Sequence, residues 1–261
     1  MKYKQELSRQ LALDYCCNVE DILDNKNHFN VYEQWNGRRR FENQDDCALK
    51  VIVVNEKLIF TGKKEIVNIC KEKYDTCSGV WFMDVSHFRE LDTILKPYGY
   101  QLKTAHPFFL PEESDDRRSD GQKSACQDAF VEKEKHILEI KKYNHDEIQQ
   151  FKGNEHYDEA FCFDENSPDM LAVAAISEGK IIGMAGASAD SPMFWQIGIN
   201  TEKEAEGRGI ASLLVKILKE DIEKLGKVPY YGTSMSNLAS QRVATNAGFK
   251  PAWAELLAER I

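Results

Sequence analysis

The sequence predicts an α/β protein with a mixed (α+β) sheet, built as two consecutive domains. Short β-branched runs alternate with stretches whose apolar residues recur at three- and four-residue steps, as strands and amphipathic helices require. The stretch 112–127 is polar and almost without apolar residues, so it is the best candidate for a linker. We therefore expect a smaller α/β domain over 1–125 and a second domain over 126–261. The length of 261 residues allows two modest cores.

Composition excludes several classes of function. The chain has 34 basic and 43 acidic residues and a net charge of −9, which argues against nucleic acid or an anionic membrane as partner. No apolar run approaches the ~18 residues of a membrane span, and no apolar signal core follows the first residues. The seven cysteines are scattered and have no zinc-ligand spacing, so we expect reduced thiols, a cytoplasmic location and no metal.

The first domain is predicted element by element. Residues 4–24 read as helical, with Leu7 and Leu11 on one face and Asn18 capping a second short helix. The basic run 38–40 reads as a solvated loop. Apolar runs then predict the order β-β-α-β-α-β. The strands are expected at 48–54, 58–61, 80–83 and 98–111, with a first helix after Gly62 and a second after Asp84.

The second domain begins with an alternating strand at 137–143, after which Asn144 caps a short helix. Two strands, 171–176 and 180–187, flank Ser177-Glu178-Gly179, which is a hairpin turn signal. A strand at 193–199 leads to a polar turn and a helix over 210–225, which ends at Gly226. A strand at 228–233, a helix at 237–247 and a last strand region at 249–261 complete the order.

The stretch around Gly207-Arg208-Gly209 carries the clearest functional signal. It joins a strand to the first turn of an amphipathic helix, whose first N–H groups have no partner inside the helix. Glycine lets the backbone approach a ligand closely, and the helix dipole favours an anion there by about 0.3–1 kcal/mol. The loop lacks the Gly-Lys pair of a P-loop and the third glycine of a dinucleotide fingerprint. The physics therefore indicates a phosphate or pyrophosphate of another kind.

Two motifs resemble the GNAT superfamily of N-acetyltransferases. The segment Glu206-Gly207-Arg208-Gly209-Ile210-Ala211 is similar to the acetyl-CoA loop Gln/Arg-x-x-Gly-x-Gly/Ala, with Glu206 where the family usually has Gln or Arg. The run from Tyr230 to Phe249 resembles the next motif, in which a strand leads to Asn-x-x-Ala/Ser, a short helix and Gly-Phe. Both motifs occur in the family's order and cover about the last half of the chain. The resemblance implies a GNAT fold there and acetyl-CoA as cosubstrate.

The resemblance also implies the cofactor contacts. In the family two central strands splay, the pantetheine arm pairs with the strand before the loop, and the pyrophosphate lies on the loop amides. Asn237 matches the asparagine that contacts the cofactor, although an N-cap role would also explain it. The expected cofactor-binding residues are Ile197, Gly198, Ile199, Glu206, Gly207, Arg208, Gly209, Ile210, Ala211, Ser212, Asn237 and Ser240.

The catalytic groups are less defined. Many relatives protonate the leaving thiolate from a tyrosine, but Ala244 stands at that position here, which leaves Ser240, Ser236 or water. An amine must lose a proton before it attacks, because an alkyl ammonium is protonated near pH 7. No base stands on the strand before the loop. The candidates are Asp190, Glu159, His156 or a water held by Gln196.

We expect an acetyl-CoA-dependent N-acetyltransferase that acts by direct attack of a primary amine. The resemblance includes the zwittermicin-resistance type, so a small polyamine or aminated metabolite is the preferred acceptor and a peptide N-terminus is second. The alternatives are a non-catalytic acyl-CoA-binding sensor or scaffold and a site for another phosphate ligand such as a nucleotide. The amino-terminal domain would close over the acceptor site or mediate a homodimer.

Overall fold

The computed structural model describes residues 2–42, 44–112 and 138–261. The predicted linker over 112–127 lies outside these ranges, except for Glu112. The described chain divides into two compact units. The first unit comprises Met1–Phe108, Thr233–Ser236 and Pro251–Ile261, and the second comprises Phe109–Gly232 and Asn237–Lys250.

The first unit contains helices and a mixed sheet. Its sheet has the strand order β1-β3-β2-β10-β4, with β1 parallel to β3 and β2 antiparallel to both β3 and β10. The buried faces of the strands and of the two longer helices after them form one apolar core. The elements are α1 (Lys2–Asp14), α2 (Val19–Leu23), β1 (His28–Val31), β2 (Leu49–Val54), β3 (Lys57–Gly62), α3 (Lys64–Tyr74), α4 (Val85–Leu95), β4 (Tyr100–Pro111) and β10 (Phe249–Arg260).

The second unit has the predicted order of strand, helix, three strands, helix, strand and helix before β10. Its strands lie in the order β9-β8-β7-β6-β5, antiparallel except for the parallel pair β8 and β9. The GNAT fold expected for this half is therefore present. The elements are β5 (Glu139–Asn144), α5 (His145–Ile148), β6 (Asp169–Ser177), β7 (Lys180–Ala189), β8 (Phe194–Thr201), α6 (Ile210–Lys224), β9 (Val228–Gly232) and α7 (Leu238–Asn246).

Local signals for turns and caps are confirmed. Asn144 Oδ1 accepts the Glu147 N–H at 3.1 Å and so caps α5. Glu178 and Gly179 have φ values of 50° and 77° and close the hairpin between β6 and β7, whose Ser177 and Lys180 are paired. Gly226, at φ 73°, ends α6. Each signal depends on a few consecutive residues, which is why the sequence alone predicts it.

The predicted strand at 80–83 is wrong. These residues form a turn before α4, in which Phe82 is buried while Trp81 is 72% exposed. Strand β1, which pairs in parallel with β3, is not predicted by the sequence. Periodicity also failed at two helix positions, since Ile69 and Leu225 are exposed. An apolar run fixes neither the strand partner nor the depth of burial, which depend on tertiary contacts.

The last strand belongs largely to the first unit. Ala254 to Leu257 pair antiparallel with β2, and Leu256 lies in the core of that unit. The sequence analysis assigned this strand to the second domain, because a position at the end of the chain does not show its pairing partner.

The basic run 38–40 is predicted to be solvated, but one of its three residues is buried. Arg39 is 4% exposed, and its guanidinium donates to Asp14 Oδ2 and Glu255 Oε1, each at 2.5 Å. Two carboxylates therefore hold this charge inside the first unit. Separately, none of the helices in the described ranges has the length and apolar character needed to cross a bilayer.

Candidate functional site

The glycine loop joins β8 to α6 in the second unit. A 3₁₀ turn over Lys203–Ala205 follows the strand, and Gly207 and Gly209 then adopt φ values of 72° and 70°. Gly209 is the N-cap of α6. Residues with a Cβ adopt this left-handed conformation at a cost, so glycine suits both positions. A Cβ at Gly207 would meet no atom within 4 Å, which leaves open space beside the loop.

The amides at the start of α6 face away from the helix body. The Leu213 N–H donates to Gly209 O at 3.0 Å, so the amides of Ile210, Ala211 and Ser212 precede the first helical bond. Glu206 and Arg208 direct their N–H groups into the loop, toward Lys203 O and Ala205 O. The anion-binding capacity of the loop therefore lies mainly in the amides from Gly209 to Ser212.

Strands β8 and β9 separate beside this loop. Their parallel pairing runs from Phe194 with Val228 to Ile197 with Tyr231 and ends there. Gly198 to Thr201 continue to pair with β7 on the other side but have no partner in the described β9. We call this gap the notch. The edge of β8 along the notch therefore offers unpaired backbone groups, and Ile197, Gly198 and Ile199 lie at its start.

A short segment, residues 158–160, lies against one face of β8 and is called the strap below. Asn200 Oδ1 accepts the N–H groups of Glu159 and Ala160 at 3.1 and 2.7 Å. Asn200 Nδ2 donates to Asp158 Oδ1 at 3.0 Å. A Cβ at Gly198 would lie 1.8 Å from Glu159 O, so only glycine lets the strap approach this closely. Three hydrogen bonds and one glycine therefore place the strap beside the notch.

Two predicted catalytic residues, Asp190 and Gln196, meet through a third. The Tyr230 hydroxyl lies 2.5 Å from Asp190 Oδ2 and 3.0 Å from Gln196 Oε1. Ser188 Oγ donates to Asp190 Oδ1 at 2.7 Å. Asp190 and Tyr230 are 3% and 1% exposed, whereas Gln196 is half-buried. Sequence reasoning missed Tyr230, because its contact with Gln196 follows from the parallel register of β8 and β9.

The third predicted catalytic residue, Ser240, lies elsewhere. Its Oγ is 2.8 Å from the Tyr231 hydroxyl, and Tyr231 belongs to the core on the α6 side of the sheet. Burial raises the pKa of Tyr231, which keeps this phenol protonated at neutral pH. Ala244 is buried in the same core as Tyr231. The structure therefore groups Ser240 with Tyr231, apart from Asp190 and Gln196.

Asn237 acts as a helix N-cap, which is the second of the two roles considered for it in the sequence. Its Oδ1 accepts the Ser240 N–H at 3.0 Å and caps α7. Of the other candidates, His156 is exposed and lies 3.8 Å from Glu202, while Glu159 belongs to the strap. Among the residues that the structure describes, no cluster of three or more His, Cys, Asp or Glu could hold a metal ion.

Comparisons with known proteins bear on this half of the chain. Residues 137–249 match the model described as the acetyltransferase (GNAT) family. No curated protein is similar enough in sequence to be matched.

Several solved structures resemble the chain. A GCN5-related N-acetyltransferase-like protein from Streptococcus suis 89/1591 is 13% identical over 87% of this chain and 89% of its own, with a TM-score of 0.47. A GNAT-family acetyltransferase from Novosphingobium aromaticivorans DSM 12444 is 17% identical over 62% and 68%, with a TM-score of 0.39. A GCN5-related N-acetyltransferase from Kribbella flavida is 12% identical over 64% and 62%, with a TM-score of 0.42. These values are too low to transfer an activity or a substrate.

The matched segment contains the glycine loop, the notch and the strap. It also contains the Tyr230 contacts with Asp190 and Gln196 and the pair of hydroxyls of Tyr231 and Ser240. The similarity to the acetyltransferase (GNAT) family therefore covers the part of the chain that holds these features.

Proposed function

We propose that the protein transfers an acetyl group from acetyl-CoA to a primary amine of a small molecule or peptide. The observation that carries the proposal is the glycine-opened start of α6 beside the notch. Unpaired amides suited to a diphosphate lie next to a strand edge suited to an extended amide chain. Coenzyme A contains both groups in one molecule, whereas a nucleotide such as ATP has no chain to occupy the strand edge.

The residues fit acetyl-CoA in three places. The amides from Gly209 to Ser212 would hold the pyrophosphate, with Gly207 and Arg208 beside it. Backbone groups of Ile197 to Ile199 would pair with the pantetheine arm. Asn237 uses its oxygen as a helix cap, and its Nδ2 remains a donor for the same ligand. When bound, acetyl-CoA supplies an acetyl group activated as a thioester.

Ser240 and Tyr231 are proposed to supply the proton that a leaving thiolate needs. Ser240 replaces the usual tyrosine of the family, whose position holds Ala244. The buried phenol of Tyr231 stays protonated and can return a proton to the Ser240 oxygen across 2.8 Å. Together the two hydroxyls form a short donor chain that begins at the α7 N-terminus. A side chain that removes the proton from the amine is not assigned.

A small polyamine or aminated metabolite is the preferred acceptor, as the zwittermicin-resistance-type resemblance suggests, and a peptide is second. The net charge of −9 accords with a cationic small molecule and disfavours nucleic acid and anionic membranes as partners. The scattered cysteines accord with a cytoplasmic location. No metal is proposed to take part. A homodimer through the first unit stays a further proposal.

The test measures thiol release from acetyl-CoA with a panel of polyamines, amino sugars and dipeptides. Turnover of at least one amine, with the acetylated product identified by mass spectrometry, supports the proposal. The rival hypothesis is a non-catalytic acyl-CoA-binding module, motivated by the absence of both the usual tyrosine and a strand glutamate. Tight acetyl-CoA binding in calorimetry, with the thioester intact after hours with every amine, would establish that rival instead.

A further inference from the structure

The buried group of Asp190, Tyr230 and Gln196 contains a hydrogen-bonding constraint. The Tyr230 hydroxyl carries one proton but faces two acceptors, Asp190 Oδ2 at 2.5 Å and Gln196 Oε1 at 3.0 Å. It cannot donate to both. A charge-assisted bond to a carboxylate is the shorter and stronger of the two, so the proton belongs to the contact with Asp190. Ser188 Oγ donates to the other carboxylate oxygen and favours the ionised form.

The Gln196 amide is then the group that adapts. The two ends of a carboxamide have nearly the same shape, and hydrogen bonding decides which end turns to a partner. With the Tyr230 proton committed to Asp190, the Tyr230 oxygen accepts a hydrogen. Rotation of the amide by half a turn places Nε2 against that oxygen and directs Oε1 outward. The contacts that Asp190, Tyr230 and Gln196 make with one another are then compatible in donor and acceptor.

Gln196 lies beside the start of the notch. Gln196, Gly198 and Asn200 alternate with their neighbours along β8, so their side-chain directions share one sheet face, which the strap also covers. Gln196 pairs with Tyr230 in register, one residue before the strands separate. It is half-buried, and its only hydrogen bond among the described residues is the one to Tyr230. With the amide turned, Gln196 Oε1 therefore has no hydrogen-bond partner among the described residues and lies at the edge of the notch.

We infer that Gln196 Oε1 binds an N–H group of the acceptor amine, and that Asp190, acting through Tyr230, positions it. The inference rests on the proposed function and gives it a binding contact. The buried carboxylate of Asp190 thus fixes the orientation of the Gln196 amide, so that the site presents a hydrogen-bond acceptor to the amine. Asp190 and Tyr230 are positioning residues, since both are buried and neither reaches the notch directly.

The amide orientation is measurable in the free protein without any acceptor. Proton NMR on a protein with labelled glutamine, assigned with Gln196→Met, should show an Overhauser effect between the Gln196 side-chain amide hydrogens and the Tyr230 ring. In Asp190→Asn, the new amide donates to the Tyr230 oxygen, the Tyr230 proton turns to Gln196 Oε1, and the effect should weaken or vanish. Its absence in the wild type would overturn the inference directly.

The contact itself is tested by calorimetry of the best amine of the panel binding to the protein–CoA complex. Gln196→Met should weaken amine binding about tenfold, the loss of one hydrogen bond to a charged partner. Asp190→Asn and Tyr230→Phe should weaken it similarly and leave CoA affinity unchanged. Unaltered amine affinity in Gln196→Met overturns the inference alone, whereas no turnover of any amine by the wild type overturns the proposed function.

Discussion

Tyr230 and Tyr231 are consecutive residues of β9, and their hydroxyl groups serve opposite faces of the sheet. Tyr230 reaches Asp190 and Gln196 on the face that the strap covers, while Tyr231 reaches Ser240 on the side of α6. Alternation along a strand produces this division, because successive side chains point to opposite faces. This one dipeptide of β9 therefore supports both the proposed amine contact and the proposed thiolate contact.

The glycine loop leads to a matched pair of substitutions. Gly209 and Gly226 have φ values of 70° and 73°, at the two ends of α6. Leucine at either position strains the backbone by about 1–2 kcal/mol, so both variants should lose similar stability. Only Gly209→Leu places a side chain where the diphosphate is proposed to bind. We expect at least a tenfold loss of acetyl-CoA affinity in Gly209→Leu and no change in Gly226→Leu, measured by calorimetry.

Equal losses of affinity in both variants would attribute the effect to helix stability and not to a site. A full-affinity Gly209→Leu would contradict the proposed pyrophosphate contact. Thermal unfolding of both variants provides the matched stability that the comparison needs.

The Ser240 and Tyr231 pair is tested by kinetics. A positioned proton donor contributes about 10²- to 10⁴-fold in general acid catalysis, and a water molecule replaces part of it when the donor is removed. We expect Ser240→Ala to lower kcat about 10- to 100-fold and Tyr231→Phe to lower it less, because Tyr231 acts through Ser240. Acetyl-CoA affinity should persist, since the Ser240 N–H still caps α7 through Asn237.

Ser236→Ala tests the other serine predicted as a donor and serves as the comparison, since Ser236 is exposed and its hydroxyl bonds only to Ser234 within the described chain. It should retain full activity. If Ser240→Ala kept the wild-type kcat, as Ser236→Ala is expected to do, Ser240 would not be the donor.

These sites differ in how far the sequence could predict them. The loop around Gly209 and the order of elements in the second unit follow from local signals, and the sequence predicts both. The contacts on the strap side of β8 could not be predicted, because they depend on the register that sets Gln196 beside Tyr230 and on a strap from about forty residues upstream. Asp190 and Gln196 were named separately, but Tyr230, which joins them, belongs to another strand. The strand error at 80–83 has the same origin, because apolar content does not specify a pairing partner.

The strap should depend on Asn200. In Asn200→Ala the N–H groups of Glu159 and Ala160 lose their acceptor, and Ala160 is buried, so we expect a loss of about 1–3 kcal/mol in unfolding free energy. Hydrogen exchange at residues 158–160 should accelerate in the same variant. Asn166→Ala is the control, since Asn166 is an exposed asparagine in the same connection between α5 and β6. Unchanged exchange in Asn200→Ala would show that the strap is held by other contacts.

Acid sensitivity of the first unit should arise in part from Asp24. Burial alone would raise the pKa of this carboxyl. The bonds from Lys57 at 2.8 Å, from the Lys26 N–H and from His28 outweigh that effect and hold the pKa of Asp24 well below its ordinary value. A depressed folded-state pKa means that the contribution to stability is complete above the unfolded-state pKa near 4 and is lost as the pH falls toward the folded-state value.

Asp24→Asn should therefore destabilise the protein at pH 7 by about 1–3 kcal/mol, because it leaves the buried ammonium of Lys57 without its carboxylate. Wild type and variant should then approach each other in stability as the pH is lowered from 4 toward 2, in urea unfolding followed at each pH. Asp75→Asn, which changes an exposed carboxyl at the end of α3, should run parallel to wild type throughout. A difference between Asp24→Asn and wild type that stays constant down to pH 2 would show that the ion pair is not the source of the acid sensitivity.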